Sequence, residues 1–476
     1  MAGTTKWLKI LSFSRMDAVA LACAVMLSVA CLLRGAVYDA LIAIFLLLST
    51  PLLFLALSVA RPVHQPMKMA GILLLSVLVM VLALQWALPV ADIWRQTATI
   101  TGQQVTASAI YDYAGWTPGI ARLLWMIMLF VLALGIGASE SSARVFLQAL
   151  LVSGVVCLAL TFLRATGNGV PTSTHASYTH GFVNPNNAAT YLGIMFLLTL
   201  AQAARFFRYP ARTWWKNPLT LMDQIDTGMI IRGLFLLFAM LLTLAGLLMT
   251  GSRGGIFVAL LCGILLLLAT VLKAKLRPQV RTWVMAATML AVGAAIVWMF
   301  INFGQVITNK FETDGMSDNA RYDIFVAVVP MITDHPLLGT GLGSFPTAFQ
   351  PYRPDTIPSD GIIDKAHNSY LEFAAEMGIP AVLALMAALG WAGWTLYAGI
   401  CQRQERYVTP AFCFSVWLLV ALHSLIDFPL QIPGILGLCT VILVVCISQT
   451  DPRFNEPTHT HVAPVRRVRV RKRRSQ

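Results

Sequence analysis

The chain has 476 residues, 58% of them hydrophobic and only 12% charged, with a net charge of +13 and a mean hydropathy of +0.73. Soluble domains carry about 25% charged residues. Half that share, with apolar runs near twenty residues, excludes a soluble globular domain and implies an all-α polytopic membrane protein.

In chain order, twelve helical spans are expected: 17–33, 36–60, 67–90, 119–137, 144–163, 188–206, 229–250, 253–273, 281–301, 374–398, 409–424 and 428–448. They are rich in Leu, Ala, Val and Met and mostly free of internal charge, which suits helices and not barrel strands. Basic residues precede the first span, and "LSVAC" before Leu32 faintly resembles a lipoprotein cleavage site. Ser28 stands where an aliphatic residue is usual, so the span is read as uncleaved. The organisation is then 1–301 with nine spans, a large outside loop 302–373, 374–448 with three spans, and a basic tail 449–476.

With the N-terminus inside, most of the 34 lysines and arginines fall on the cytoplasmic side, and every cytoplasmic loop agrees. Both termini are therefore placed in the cytoplasm. The tail, "VRRVRVRKRRSQ", supplies most of the net charge and reads as a topology anchor held by anionic lipid. It has no aromatics and no attached domain, which argues against nucleic acid as a partner. The eight cysteines fall in spans or at a cytoplasmic edge, so no disulfide framework or CxxC metal spacing is suggested.

Three outside segments exceed what a turn needs: 91–118, 164–187 and 302–373. The third contains "NARYDIFVAVVPMITDHPLLGTGLGSF", where Tyr322, Phe325, Val328, Val329 and Ile332 recur at helical spacing. This predicts a short amphipathic helix along the outer membrane face, ended near "DHP". "GTGLGS" (Gly339 to Ser344) lacks the last glycine of a dinucleotide loop and the surrounding βαβ unit. It reads as a turn that lets backbone approach a ligand or a neighbouring helix.

"TGSRGG" places Arg253 between two spans at the membrane edge. It is either a snorkelling arginine or an anion site, with bidentate guanidinium beside a helix N-terminus. "HGFVNPNNAATYLG" enters the sixth span. One of Asn184, Asn186 and Asn187 suffices as a helix cap, with Pro185 fixing the turn. The surplus asparagines, with His180, are candidates for sugar-hydroxyl contacts. In "HSLIDFPLQIPG", His423 and Asp427 are four apart and read as a structural pair or as part of a site. "DKAHNSYLEFAAEMGIPA" ends the long loop: Asn368 or Ser369 would cap the next helix, with Glu372 and Glu376 in its first turns. His367 precedes that cap. Arg164, Arg253, Arg321, Arg353, His180, His367 and Asp427 all fall on the outside. Charges at membrane depth are costly and usually functional, so this grouping implies an outward cavity for an anionic, partly lipid substrate.

The ordered set "GFVNPNNAATYLG", "GSRGG", "NARYDIFVAVVPMITDHPLLGTGLGSF" and "AHNSYLEFAAEMGIPA" resembles the O-antigen ligase / O-antigen polymerase superfamily of bacterial inner membranes, over roughly residues 160–440. The resemblance implies a GT-C-like glycosyltransferase with neither metal nor other cofactor. The implied donor is a glycan on undecaprenyl diphosphate, used at the periplasmic face. The implied acceptor is the lipid A core in a ligase, or another lipid-linked repeat in a polymerase. By motif position, Arg253 and Arg321 are implied to hold the diphosphate and His367 to act near the acceptor. The family often has an arginine just before the asparagine-rich turn; here Thr179 and His180 stand nearby, and Arg164 or His180 would have to replace it. Asn184, Asn186, Asn368 and Arg353 are further substrate-contact candidates. The chain has no D-x-D motif, and arginines can stabilise charge on a departing diphosphate. An acceptor hydroxyl needs a base or an orienting partner, and an imidazole has an ordinary pKa of about 6.5.

A transporter of lipid-linked glycans is the rival of another class. Transporters gather polar groups near mid-bilayer, often in two related halves. Here the span middles are apolar apart from Asp39, near the outer end of the second span, and no internal repeat is visible.

Overall fold

The computed structural model describes residues 13–59, 62–88, 109–167, 179–214, 226–273, 282–283, 286, 290, 318–357, 363–403 and 406–454. Among them the longer elements are all helices, in the order α1 (Arg15–Leu32), α2 (Asp39–Leu57), α3 (Gln65–Ala87), α4 (Tyr113–Gly137), α5 (Glu140–Gly167), α6 (Pro185–Trp214), α7 (Thr227–Met249), α8 (Arg253–Lys273), α9 (Asp318–Asp334), α10 (Phe345–Ala348), α11 (Ser369–Gln402), α12 (Val408–His423) and α13 (Pro433–Ser448). Nine of these described helices, α1 to α8 and α11, are long and apolar enough to cross a membrane. The shorter apolar helices α12 and α13 fall where two more spans were expected. The ninth predicted span, 281–301, lies almost entirely outside the described residues.

Short polar residues set the helix starts. Ser14 and Asp17 form a reciprocal capping box on α1. Asp112, Asp226 and Asn368 accept backbone N–H groups at the starts of α4, α7 and α11. The helices then bury apolar faces on one another: α1 on α5, α4 between α2 and α13, α8 against α6 and α12, and α11 against α12 and α3. Trp125, Tyr191 and Phe412 are among the largest fully buried side chains. α3 is the loosest of the set, burying only Met67, Val81, Leu82 and Gln85.

The two ends of the bundle differ chemically. At one end Arg406 pairs with Glu140 at 2.8 Å. There Lys273 Nζ also donates to the Cys401 carbonyl at 2.7 Å. The other end brings together the starts of α6, α8, α11 and α13 with the end of α12. Asp39, the first residue of α2, pairs there with Arg122 at 3.0 Å.

Over this second end lies a small layer. The predicted amphipathic helix is α9, and it stops at Asp334 just before His335-Pro336. Ile324, Val328 and Met331 of α9 pack with Phe345 and Phe349 on Ala375 of α11. α11 itself is broken at Gly378 (φ 79°, ψ 168°), two residues before Pro380. The break leaves carbonyls without helical partners, and the glycine loop fills them. Thr340 N donates to Ala375 O at 2.9 Å, and Gly341 N to Glu376 O at 3.0 Å. Gln85 of α3 adds Nε2 to Glu376 O at 2.8 Å. Gly339, at φ +67°, lies so close to the Glu376 backbone that no Cβ would fit. The glycine loop therefore serves backbone approach to a helix, one of the two roles expected of it.

Candidate functional site

The site grows from the junction of three chain segments. Asn368 caps α11, its Oδ1 accepting from Tyr370 N at 3.0 Å and Leu371 N at 3.1 Å. Its Nδ2 donates to the Leu425 carbonyl at 3.0 Å. Ser369 N donates to the carbonyls of Ser424 (2.9 Å) and Asp427 (3.2 Å). The entry to α11 is thus laced to the α12–α13 turn, and His367 is fixed beside that turn. His367 has φ +51°, a left-handed conformation rare for a residue with a Cβ. Such strain persists only where surrounding contacts over-determine it.

The His367 ring is 6% exposed and meets Phe428 edge-on at 5.1 Å. Its Nδ1 is buried without a hydrogen-bond partner. The nearest acid is Asp427, with Oδ1 at 4.0 Å, beyond hydrogen-bond reach. Burial, then the charges of Arg321 and Lys365, push the His367 imidazole down to about 4. It is therefore neutral near pH 7.

Asp427, 1% exposed, is the hub. Oδ1 accepts from Phe428 N at 2.8 Å, and Oδ2 accepts from Asn186 Nδ2 across the bundle. Burial raises this carboxyl, while the Phe428 amide, Arg321 and Asn186 hold it back. The structural pairing of Asp427 with His423 gives way to separate partners: His423 Nδ1 lies 2.7 Å from Thr190 Oγ1. The helix ends at His423, so Asp427 sits in the following turn and not on a shared helix face.

The three asparagines divide their work. Asn184 is the cap, its Oδ1 accepting from Asn186 N at 2.7 Å. Asn186 reaches Asp427. Asn187 Oδ1 is buried without a hydrogen-bond partner.

Arg321, on α9, is half-buried, and its Nε has no hydrogen-bond partner. Its charge acts on both His367 and Asp427. Arg253 is the first residue of α8 and half-buried. Ser252 caps that helix, its Oγ accepting from Gly255 N at 3.3 Å. A Cβ on Gly255 would stand 2.6 Å from Ala189 Cβ and 3.3 Å from His423 Cε1. The bare backbone thus lets the start of α8 close on α6 and α12, bringing the Arg253 segment to the edge of the group.

Other expected site residues stand apart. His180 is 1% exposed, with Nδ1 2.8 Å from Thr161 Oγ1 and its ring stacked on Tyr191 at 5.0 Å. Burial pushes it, too, down to about 4. Arg164 is exposed on α5. Arg353 follows the turn Gln350–Tyr352 in the layer over the bundle. No described contact joins these three to His367. Sequence reasoning undervalued Glu372 and Glu376, seen only as first-turn acids. Glu372 Oε2 accepts from Ala366 N at 2.8 Å and Oε1 faces Lys365 Nζ at 3.5 Å. Glu376 Oε1 accepts from Phe345 N at 3.1 Å. The two carboxylates bolt both loop ends onto α11. Among the described residues, no group of three or more His, Cys, Asp or Glu is placed to hold a metal ion.

An all-helical bundle of membrane-crossing length, with a His–Asp–Asn–Arg group gathered at one end, defines a multi-pass membrane protein with a polar site at the bundle's edge. The family model described as Wzy_C, O-Antigen ligase, matches residues 238–386, and this is the superfamily that the four motifs resemble. No curated protein matches the chain. The matched stretch carries Arg253, Arg321, Arg353, His367 and Asn368. Asn186 and Asp427 lie outside it, and the fold supplies them to the same site.

Proposed function

We propose that the protein is an O-antigen ligase-like glycosyltransferase. It moves a glycan from undecaprenyl diphosphate to a hydroxyl of an acceptor such as the lipid A core, at the periplasmic face of the inner membrane. One observation carries the reading: a neutral, strained His367 of the family-matched region lies 4.0 Å from Asp427, and the charge of Arg321 acts on both. The placement of Arg144, Lys273, Arg403 and Arg406 at the opposite end supports a cytoplasmic assignment for that end.

In this reading the acceptor O–H proton passes to His367 Nε2 while Nδ1–H points to Asp427, whose carboxylate steadies the imidazolium that forms. The hydroxyl oxygen bonds to the anomeric carbon as the bond to the diphosphate oxygen breaks. The diphosphate leaves with the electron pair, and Arg321 and Arg253 offset its charge. A single in-line displacement inverts the sugar. Asn186 fixes Asp427, and Asn368 fixes the backbone from which His367 projects.

The test is reconstitution of the full chain in proteoliposomes with a lipid-linked oligosaccharide and, separately, lipid A core, a second lipid-linked repeat, or no acceptor. Glycosylated lipid A core that requires His367 is expected. Chain growth on the second repeat alone would make the enzyme a polymerase. Donor moving across the bilayer without any transfer would refute the enzymatic reading.

A further inference from the structure

The bundle end opposite His367 holds a second gathering of charge. Glu140 is the first residue of α5. Its Oε1 accepts from Arg144 Nη2 at 2.9 Å, and its Oε2 accepts from Arg406 Nη1 at 2.8 Å. Both carboxylate oxygens are thus taken. A third guanidinium, that of Arg205 on α6, is near enough for the charges of Glu140 and Arg144 to act on it. Yet among the described residues no carboxylate pairs with it. Its Nη1 donates to Gln202 Oε1 at 3.5 Å and its Nη2 to Thr409 Oγ1 at 2.5 Å, both neutral oxygens. Three arginines from three segments therefore share one acid.

The corner around Arg205 is rich in donors and short of acceptors. Gln202 Nε2 is buried with no hydrogen-bond partner, and a buried donor left unmade is costly. Thr409 lies in the first turn of α12, whose start has no side-chain cap. The backbone amides of that turn open on the same corner. α5 also begins at this end, and helix N-termini carry partial positive charge. A guanidinium without a carboxylate, an amide without an acceptor and two helix N-termini all call for an anion with several oxygens.

Depth narrows the choice of anion. The apolar stretch of α6 runs from Pro185 to Phe206, so Arg205 stands at its edge, where hydrocarbon gives way to headgroups. α11 ends on the same side, its Cys401 carbonyl accepting from Lys273 Nζ. Trp394 and Tyr397 are exposed in its last three turns, the placing of aromatic residues at a membrane interface. A phosphate held between membrane-crossing helices at this level belongs to a lipid.

We propose that Arg205, Gln202 and the start of α12 form a binding site for a phosphate group, that of an anionic phospholipid such as phosphatidylglycerol. The bound headgroup ties α5, α6 and α12 together at the end of the bundle away from His367. This site stands whether or not the function proposed above does. In the test, the full-length chain is released from nanodiscs holding phosphatidylglycerol and phosphatidylethanolamine, and retained lipid is counted by native mass spectrometry. Inorganic phosphate is added separately to the chain in neutral nanodiscs, with melting as the readout. We expect selective retention of phosphatidylglycerol, cut about tenfold by Arg205→Gln, the share of one hydrogen bond to a charged group. Gln202→Leu keeps every charge; it should cut retention about threefold, the share of one neutral hydrogen bond, yet melt like the wild type in neutral lipid. A Gln202 that serves only the fold would instead melt lower and leave retention intact, which would overturn its place in the site. The basic tail attracts the same lipids, but its share is indifferent to both substitutions. Stabilisation by inorganic phosphate that Arg205→Gln abolishes, without lipid selectivity, would keep the site and make its ligand a free phosphate. Equal retention of the two lipids with no effect of phosphate overturns the proposal, as does selective retention that both substitutions leave unchanged.

Discussion

His180 and His367 are alike in every local respect. Both are buried, both have a left-handed backbone (φ 47° and 51°), and burial pushes both imidazoles to about 4. Their surroundings differ. His180 is held by Thr161 and stacked on Tyr191, and burial lowers its pKa. His367 has an Nδ1 without a hydrogen bond, a carboxylate at 4.0 Å and two cations within influence. Strain and a depressed pKa therefore do not by themselves mark a working histidine. The charges of Arg321 and Lys365 and the Asp427 carboxylate beside the ring are what set His367 apart.

That contrast is open to direct attack. The largest effect is expected from His367→Ala: transfer should fall by about 10²–10⁴-fold, the usual contribution of a general base, with normal protein in the membrane. His180→Ala should instead lower the melting temperature, by roughly 1–3 kcal/mol of lost packing and hydrogen bonding, while turnover per folded molecule holds. Reversed results would erase the distinction. Next, Arg321→Gln should cost about 10²–10³-fold, the scale of one charge-stabilising donor. It should also leave a signature in the pH profile. Wild-type kcat/KM should stay level from neutral pH downward and fall only as pH nears 4, because a protonated imidazole cannot accept the hydroxyl proton. Arg321 depresses the His367 pKa, so its removal moves that acid limb to higher pH. An unmoved limb in the residual activity would detach Arg321 from His367.

A smaller effect tests the hub. Asn186→Ala and Asp427→Ala should be non-additive by about 0.5–3 kcal/mol, as for residues in one network; simple additivity in transfer rates would mean their contact is incidental. Smallest, Asn368→Ala should cost about 1 kcal/mol of stability, the value of a helix cap, read from thermal unfolding.

Local chemistry made much of this legible in the sequence. Hydropathy placed the spans, since α1 to α8 follow their apolar runs, and the cap role of Asn368 follows from its position before an apolar helix. The helix stop before His335-Pro336 was equally readable. What escaped were pairings across great sequence distance. Asn186 and Asp427 are 241 residues apart, and each has a sound local reading alone. Glu376 looked like a favourable charge at a helix start; its carboxylate in fact receives the Phe345 amide of another segment. The break at Gly378 was hidden because Gly-Ile-Pro sits within an apolar run, where composition speaks louder than turn chemistry.

That break has a consequence for evolution as well as architecture. Below it, α11 belongs to the bundle; above it, a rod from Ser369 to Gly378, about 14 Å at 1.5 Å per residue, carries the histidine. Loop backbone is pinned into the break, and α3 is pinned to the same carbonyl. The rod acts as a gauge: it sets the height of the His367 imidazole by counting helical residues, independent of how the covering loop is elaborated. A lineage can therefore refashion the loop and keep the same stand-off between the bundle and this imidazole.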